Sequence, residues 1–341
     1  MLTPLTGFPS AGKRIQIKAE EQKENKVKPG KVPGFALFSM EKKQVTKYGL
    51  LGKNISYSLS PLLHNAAFEK FGLEAGYVIF DKQERELETF FREEVLGGKV
   101  KGFNVTVPYK IKTKEFLQGR NADLHNWVQV IGALNTVKCV DGKLYGYNTD
   151  AEGFYRSVQQ EFGIRIGPRE EYRMFIAGAG GAGRAIALFT ASMGIKKLDV
   201  FDVDPGRLDS LKEAFGQYPP HIRDKFNPLY SQDEAAAAAA SADIIVNATP
   251  LGTHEEDPMP LPGGVLTDKH MVYDLVYARK TELLKHAEEA GAGTASGIGM
   301  LVNQAARSFE IWTGKPFDDV CQIMREAAEK AVREAARTER R

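Results

Sequence analysis

Cysteine is nearly absent from this chain: two residues, Cys139 and Cys321, among 341. They are far apart and no CxxC spacing occurs, so neither a disulfide framework nor a cysteine-based zinc knot is expected, no metal site is indicated, and a reducing, cytosolic setting is the default. Charge of one sign is also lacking. The 46 Lys and Arg nearly cancel the 44 Asp and Glu, leaving +2, which argues against a dedicated binder of nucleic acid or of an acidic membrane. No apolar run approaches the ~18 residues needed to span a bilayer. The opening stretch, MLTPLTGFPSAGKR, has no apolar centre of signal-peptide type, and no repeat at solenoid spacing is present. What remains is the composition of a soluble globular protein, long enough for two domains.

Residues 1–46 differ from the rest. KAEEQKENKVKPGKVPG is polar, charged and aperiodic, and reads as a flexible extension, with an interaction arm or the remnant of a fusion as the other readings. From Lys47 onward short strand-like runs alternate with helical ones. YGLLG reads as a first strand, 62–71 (LLHNAAFEKF) as an amphipathic helix, 77–80 as a strand, 87–95 as a helix and 102–107 as a strand. This βαβ alternation predicts an α/β fold with a mostly parallel sheet. After a linker containing Gly167-Pro168, ADIIVNA (242–248) and MVYDLV (271–276) read as buried strands. The alanine run 235–240 reads as a helix, alanine being the best helix former. From Met300 the chain reads as helical.

The most informative stretch is 172–202, YRMFIAGAGGAGRAIALFTASMGIKKLDVFD. An apolar run enters Gly178-x-Gly180-x-x-Gly183, a helical segment follows, and a second apolar run ends in Asp202. Strand, tight turn, helix and strand closing on an acid make a dinucleotide-binding unit. Gly178 permits the turn, Gly180 lets the backbone approach a pyrophosphate, and Gly183 lets helix and strand pack closely. The helix N-terminus then offers free N–H groups to the phosphates.

Four polar clusters precede this unit: Ser58-Leu59-Ser60-Pro61 with the following His64 and Asn65, Asn104 to Lys110 (NVTVPYK), Gly132 to Thr136 (GALNT), and Gly146 to Asp150 (GYNTD). Each sits at a strand end or turn, where ligand contacts gather in open α/β sheets. Each also has a plain structural reading. Ser60-Pro61 makes a good helix N-cap followed by proline, Asn148-Thr149-Asp150 an ordinary turn, and Asn135 a loop tie. Together, beside a cofactor site, they point to a small polyhydroxylated ligand. Oxidising a secondary alcohol needs a base near the carbinol oxygen. No histidine sits in an obvious motif. Lys110 can serve if burial lowers its pKa, and a nearby aspartate pulls the other way while holding it in place. By spacing alone, with Lys101, Lys112 and Lys114 around it, Lys110 reads more readily as a solvated surface lysine.

The ordered set SLSPLLHNAAF, GFNVTVPYK, GALNTV, GYNTDAEGF, GAGGAGRA, VNATPLGT, VYDLVYARKTELL and GIGMLVNQAARSFEIWTG resembles the shikimate dehydrogenase family from about Lys47 to Gly314. The resemblance implies reversible hydride transfer between NAD(P)(H) and shikimate or 3-dehydroshikimate. It implies an α/β substrate-binding and catalytic domain (47–149, completed by C-terminal helices in 297–341), a Rossmann-like dinucleotide-binding domain (150–296) and a cleft between them. Carried across, Lys110 and Asp150 resemble the catalytic pair. Ser58 and Ser60 resemble the carboxylate grip, and Asn104, Thr106, Asn135 and Gln304 the hydroxyl and carboxylate ligands, with Tyr277 a substrate-side tyrosine. Gly178, Ala179, Gly180, Gly181, Ala182 and Gly183 resemble the phosphate turn, residues 247–252 with Thr249 the cofactor groove, and Gly299 and Met300 the segment meeting the nicotinamide. The implied partner is a small molecule, without nucleic acid or membrane, bound by a monomer or homodimer. Serine, asparagine, threonine and glutamine suit a ligand of one carboxylate and three hydroxyls; no arginine clamp is apparent.

Three departures bear on this. NADP-dependent members carry Asn-Arg-Thr after the second strand of the cofactor domain; here the segment is Asp202-Val203-Asp204-Pro205-Gly206-Arg207. Aspartate accepts from ribose hydroxyls and repels a 2′-phosphate, so NAD is expected over NADP, with Arg207 the remaining phosphate partner. YARKT (277–281) is one residue short and lacks the usual proline, which clouds the role of Tyr277. The extension is too short for a complete dehydroquinate dehydratase, the usual fusion partner. Quinate dehydrogenase, or dual activity, is the close alternative; Ser60, instead of a smaller residue, tilts toward shikimate. A non-catalytic regulator on this fold would have lost Lys110, Asp150 or the glycine turn, and all three are present.

Overall fold

The computed structural model describes residues 45–262, 264–277 and 279–338, with side chains to residue 334. Residues 1–44 of the expected extension lie outside the described residues.

The chain begins with β1 (Thr46–Gly52), α1 (Ser60–Lys70), β2 (Ala75–Asp81), α2 (Leu87–Phe90), a π-helical turn (Phe91–Val95) and β3 (Val100–Val105). There follow α3 (Lys110–Gln118), β4 (Asp123–Leu124), α4 (Asn126–Ile131), β5 (Thr136–Val140), β6 (Lys143–Tyr147) and α5 (Asp150–Phe162). The strands form one sheet in the order β2-β1-β3-β5-β6-β4. β2, β1 and β3 pair parallel, as do β6 and β4, and β5 runs antiparallel to its neighbours β3 and β6. The sheet is thus mostly parallel, as expected, and β5 is its one reversed strand, joined to β6 by the short Asp141-Gly142 turn that makes a hairpin where a crossover would need a helix.

The second half holds β7 (Arg173–Ala177), α6 (Gly181–Met193), β8 (Lys197–Phe201), α7 (Pro205–Gly216), α8 (Pro220–Arg223), β9 (Phe226–Leu229) and α9 (Gln232–Ala240). It continues with β10 (Ile244–Asn247), β11 (Met271–Asp274), α10 (Glu282–Glu289) and β12 (Gly293–Ser296). The sheet order β12-β11-β10-β7-β8-β9, parallel at every pairing, is the doubly wound arrangement. Its strands read as continuous apolar runs because both faces are covered. Met174, Phe175 and Ile176 are all fully buried.

The last helices, α11 (Ile298–Thr313) and α12 (Phe317–Thr338), break at Gly314, whose φ of +72° caps α11. They return to the first sheet. Phe309, Trp312 and Met324 pack there with Leu63, Phe68 and Tyr48. Helix α5 joins the two sheets and crosses α11 closely: a Cβ on Gly153 would lie 2.8 Å from the Gln304 Cβ. That crossing brings the start of α5 and the middle of α11 to one cavity. Among the described residues no helix is long and apolar enough to cross a membrane.

Candidate active site

A cavity of about 230 Å³ opens where β1, β3, α3, α5 and α11 approach the first turn of α6. Ser58, Ser60, Asn104, Thr106, Lys110 and Asn135 line it, and Asp150, Tyr277, Met300 and Gln304 complete the wall. Four clusters separated by up to about a hundred positions thus share one concave surface.

Lys110 opens α3 and Asp150 opens α5. The Lys110 ammonium donates to Asp150 Oδ2 at 2.5 Å. Asn135 Nδ2 donates to the other carboxylate oxygen at 2.9 Å. Asn148 Oδ1 accepts from the Asp150 amide at 3.2 Å, and its own Nδ2 donates to the Ala133 carbonyl at 3.1 Å. The side chains of Lys110 and Asp150 are 16% and 9% exposed, open enough to touch a ligand and too enclosed to swing freely. Asn135 Oδ1 accepts from the Thr149 amide at 2.8 Å, fixing which end of the amide faces Asp150. The asparagines of GALNT and YNTD are therefore the tie for the acid, and the reading of Asn135 as a loop tie holds together with its place in the cavity.

Ser60 is not the helix cap. Leu59 occupies that position without a side-chain cap bond, and Pro61 follows in the first turn. Ser58 Oγ instead donates to Ser60 Oγ at 3.1 Å and accepts from the Ser60 amide at 3.2 Å. Proline supplies the helix start, which leaves the serine pair turned to the cavity. The Tyr277 hydroxyl interacts with Ser58, and burial pushes that phenol up, so it stays a donor.

The glycine turn follows β7. Gly178 has φ +101°, which a side chain rarely adopts. A Cβ on Gly183 would lie 1.9 Å from the Gly178 carbonyl oxygen. Gly180 has nothing within 4 Å of its missing Cβ, so the backbone there is open to a ligand. Gly181 approaches the Lys110 side chain, and Ala182 lines the cavity, which brings the glycine turn beside Lys110 and Asp150. These features fit a dinucleotide: an open turn, a thirteen-residue helix with free N-terminal amides, and an acid beyond the next strand.

That acid is 8% exposed. Asp202 Oδ2 accepts from the Ala179 amide at 2.7 Å and Oδ1 from the Asp204 amide at 2.9 Å. Arg207 lies 3.6 Å from Asp202 and 3.4 Å from Asp204, shared between two carboxylates. Thr249 caps its own turn: its amide and hydroxyl both donate to Asn247 Oδ1, at 3.1 and 2.6 Å. Gly299 turns its missing Cβ toward Ser157 Oγ at 2.1 Å, so it makes room for α5, while Met300 lines the cavity. The Met300 amide is held by the Tyr273 hydroxyl at 3.0 Å.

Tyr57, Leu275 and Gly297 also line the cavity and were not expected. Tyr57 lies between Ile55 and the serine pair and is 73% exposed; nothing in residue type or period marks it. Among the described residues no group of three or more His, Cys, Asp or Glu is placed to hold a metal ion.

The chain is similar to known proteins in sequence and in fold. Residues 50–137 match the family described as shikimate dehydrogenase substrate binding domain, and residues 297–337 the shikimate 5′-dehydrogenase C-terminal domain. The chain is 36% identical over 289 residues to the shikimate dehydrogenase (NADP(+)) of Methanopyrus kandleri, covering 84% of this chain and 95% of that one. The crystal structure of the Aquifex aeolicus shikimate dehydrogenase matches with a TM-score of 0.72 at 32% identity, over 84% of this chain and 99% of the other. A Listeria monocytogenes shikimate 5-dehydrogenase, solved with shikimate and NAD, matches with a TM-score of 0.71 at 31% identity, over 83% and 97%.

Proposed function

The chain belongs to the shikimate dehydrogenase family, and from that premise we propose that Lys110 and Asp150 are its catalytic pair for reversible oxidation of shikimate to 3-dehydroshikimate, with NAD preferred over NADP. The observation that carries the reading is the Lys110–Asp150 contact at 2.5 Å inside the cavity that Ala182 and Met300 also line. It supports a proton-transfer pair beside the turn that would hold the cofactor.

A bound nicotinamide supplies the hydride chemistry. The chain supplies everything else. Ser58, Ser60 and Tyr277 donate toward a carboxylate, and Thr106, Asn104 and Gln304 read ring hydroxyls. Lys110 exchanges a proton with the carbinol oxygen, while Asp150, fixed by Asn135, keeps the lysine aimed. A site built to hydrogen-bond every substrate hydroxyl rejects analogues lacking one, because its own buried polar groups would be left unpaired. Residues 47–149 with 297–341 would form the substrate side and 150–296 the cofactor side, in a cytoplasmic enzyme.

The cofactor preference rests on Asp202. Its carboxylate, with Asp204 beside it, puts negative charge where a 2′-phosphate would need positive, and Arg207 is already engaged by both. The Methanopyrus relative carries NADP(+) in its name, and the Listeria structure was solved with NAD. Initial rates with shikimate and quinate, each with NAD and NADP, test the reading. Highest kcat/KM is expected for shikimate with NAD. A clear NADP preference would remove the role given to Asp202, and a quinate preference the one given to Ser60.

A further inference from the structure

His64 and Asn65 stand out in the sequence, yet neither lines the cavity. Both act on Tyr77. Asn65 clamps its backbone: Nδ2 donates to the Tyr77 carbonyl at 3.0 Å, and Oδ1 accepts from the Tyr77 amide at 2.8 Å. The His64 ring stacks on the Tyr77 ring, with centroids 4.2 Å apart and planes 9° from parallel. His64 is fully buried, and burial lowers its pKa to about 3, so the stacking ring is neutral.

Backbone and ring are both fixed, which fixes where the hydroxyl of Tyr77 points. It donates to Asn104 Oδ1 at 2.8 Å, and Ser60 interacts with the same phenol. Asn104 and Ser60 face the cavity from β3 and α1, whereas Tyr77 does not reach it. An asparagine amide can sit either way round. Here the Tyr77 hydroxyl selects Oδ1 on one side, and the Asn135 carbonyl, 3.2 Å from Nδ2, selects nitrogen on the other. Burial raises the phenol well above its ordinary range, so its proton is always there to donate.

We propose that Tyr77 is a positioning residue for the substrate: its hydroxyl sets the amide of Asn104, so that side of the pocket is shaped before the substrate enters. The inference rests on the reading above, in which Ser60 and Asn104 contact the substrate. A ligand group held by a locked partner loses less freedom on binding than one that must be ordered. The clamp thereby gives the His64-Asn65 pair a function that neither residue has at the cavity itself.

Tyr77→Phe keeps the ring and its stacking and removes one oxygen. KM for shikimate is expected to rise about tenfold, because Asn104 must then be ordered as the substrate binds, with kcat within about twofold and the cofactor KM unchanged. An unchanged shikimate KM, or an equal rise in the cofactor KM, overturns the proposal. Ser60→Ala and Asn104→Ala serve as reference arms. If both leave the shikimate KM unchanged, the substrate reading itself fails. If they raise it and Tyr77→Phe does not, only the role of Tyr77 fails. Combining Tyr77→Phe with Asn104→Ala should give less than the product of the single effects, and a full product refutes action through Asn104. Should Tyr77→Phe not fold, Asn65→Ser loosens the same clamp, and a shikimate KM unmoved in that variant counts against the proposal equally.

Discussion

Lys110 and Asp150 begin two different helices, and their charged ends meet at 2.5 Å within the cavity. The two residues are unequal in their helices. A carboxylate at a helix N-terminus is favoured by the dipole and a lysine there is not, so Asp150 offsets the unfavourable placement of Lys110. Lys110→Ala should therefore remove the proton acceptor while leaving the serines, Asn104 and Gln304 in place. Turnover is expected to fall ~100- to 10,000-fold, with shikimate binding still measurable by calorimetry. Unchanged turnover would sink its catalytic role.

Asp150→Asn keeps the shape and the tie to Asn135 but not the charge that holds the lysine. Its loss in kcat should be large yet smaller than that of Lys110→Ala, with little change in shikimate KM. Steady-state kinetics on both variants checks the order, and a reversed order would assign the proton step to Asp150.

The cofactor preference can be moved. Val203 is 83% exposed, so an arginine there meets no packing penalty. Asp202→Asn with Val203→Arg removes the repelling charge and adds a phosphate partner. The ratio of kcat/KM for NADP over NAD should rise by at least about tenfold. A ratio left unmoved would mean that Asp202 serves only its contacts to the Ala179 and Asp204 amides.

Much of this site could be read from residues, and the reasons are physical. The glycine turn is legible because each glycine answers a steric demand: the turn at Gly178, the 1.9 Å approach at Gly183. The alternation of strands and helices is legible because both faces of the second sheet are buried. The hairpin β5–β6 has a local signal in Asp141-Gly142 between two short runs, which the polar clusters GALNT and GYNTD on either side draw attention away from. Ser60 was open to reading as a cap because the cap preference is local, whereas its contacts with Ser58 and Tyr77 depend on how the first turn of α1 is placed. Tyr77 carried no signal at all. A buried tyrosine in a strand looks like core until the asparagine it holds is seen across the sheet.

The steric reading of the glycine turn makes its own prediction. Gly183→Ala would force a Cβ against backbone, which cannot yield as a side-chain tip can, whereas Gly180→Ala meets nothing within 4 Å. The first should lower stability by about 1–3 kcal/mol and abolish cofactor binding. The second should leave the melting temperature alone and raise only the cofactor KM. Calorimetric melts and cofactor titration separate the two. Equal melting losses would show that the turn is constrained by something other than the approach at Gly183.

His64 gives the fold a pH dependence whose sign is fixed. Its folded pKa of about 3 lies below the ordinary 6.5. Between these values the unfolded chain takes up a proton that the folded chain refuses, so stability is complete above 6.5 and declines as the pH falls through the window. One proton contributes at most about 1.4 kcal/mol per pH unit, or about 2 kcal/mol between pH 7 and pH 5. Neither ring nitrogen meets hydrogen-bond geometry among the described residues, and the nearby Asn104 side chain opposes the effect of burial only in part, so His64→Phe removes the proton site and keeps a ring to stack on Tyr77. Urea unfolding of parent and variant at pH 7 and pH 5 should show the parent losing about 2 kcal/mol more than the variant over that interval. Other acid-sensitive groups are common to both and cancel in the difference. Equal losses in the two proteins would mean that His64 is protonated in the fold, and that the neutral ring against Tyr77 is the wrong picture.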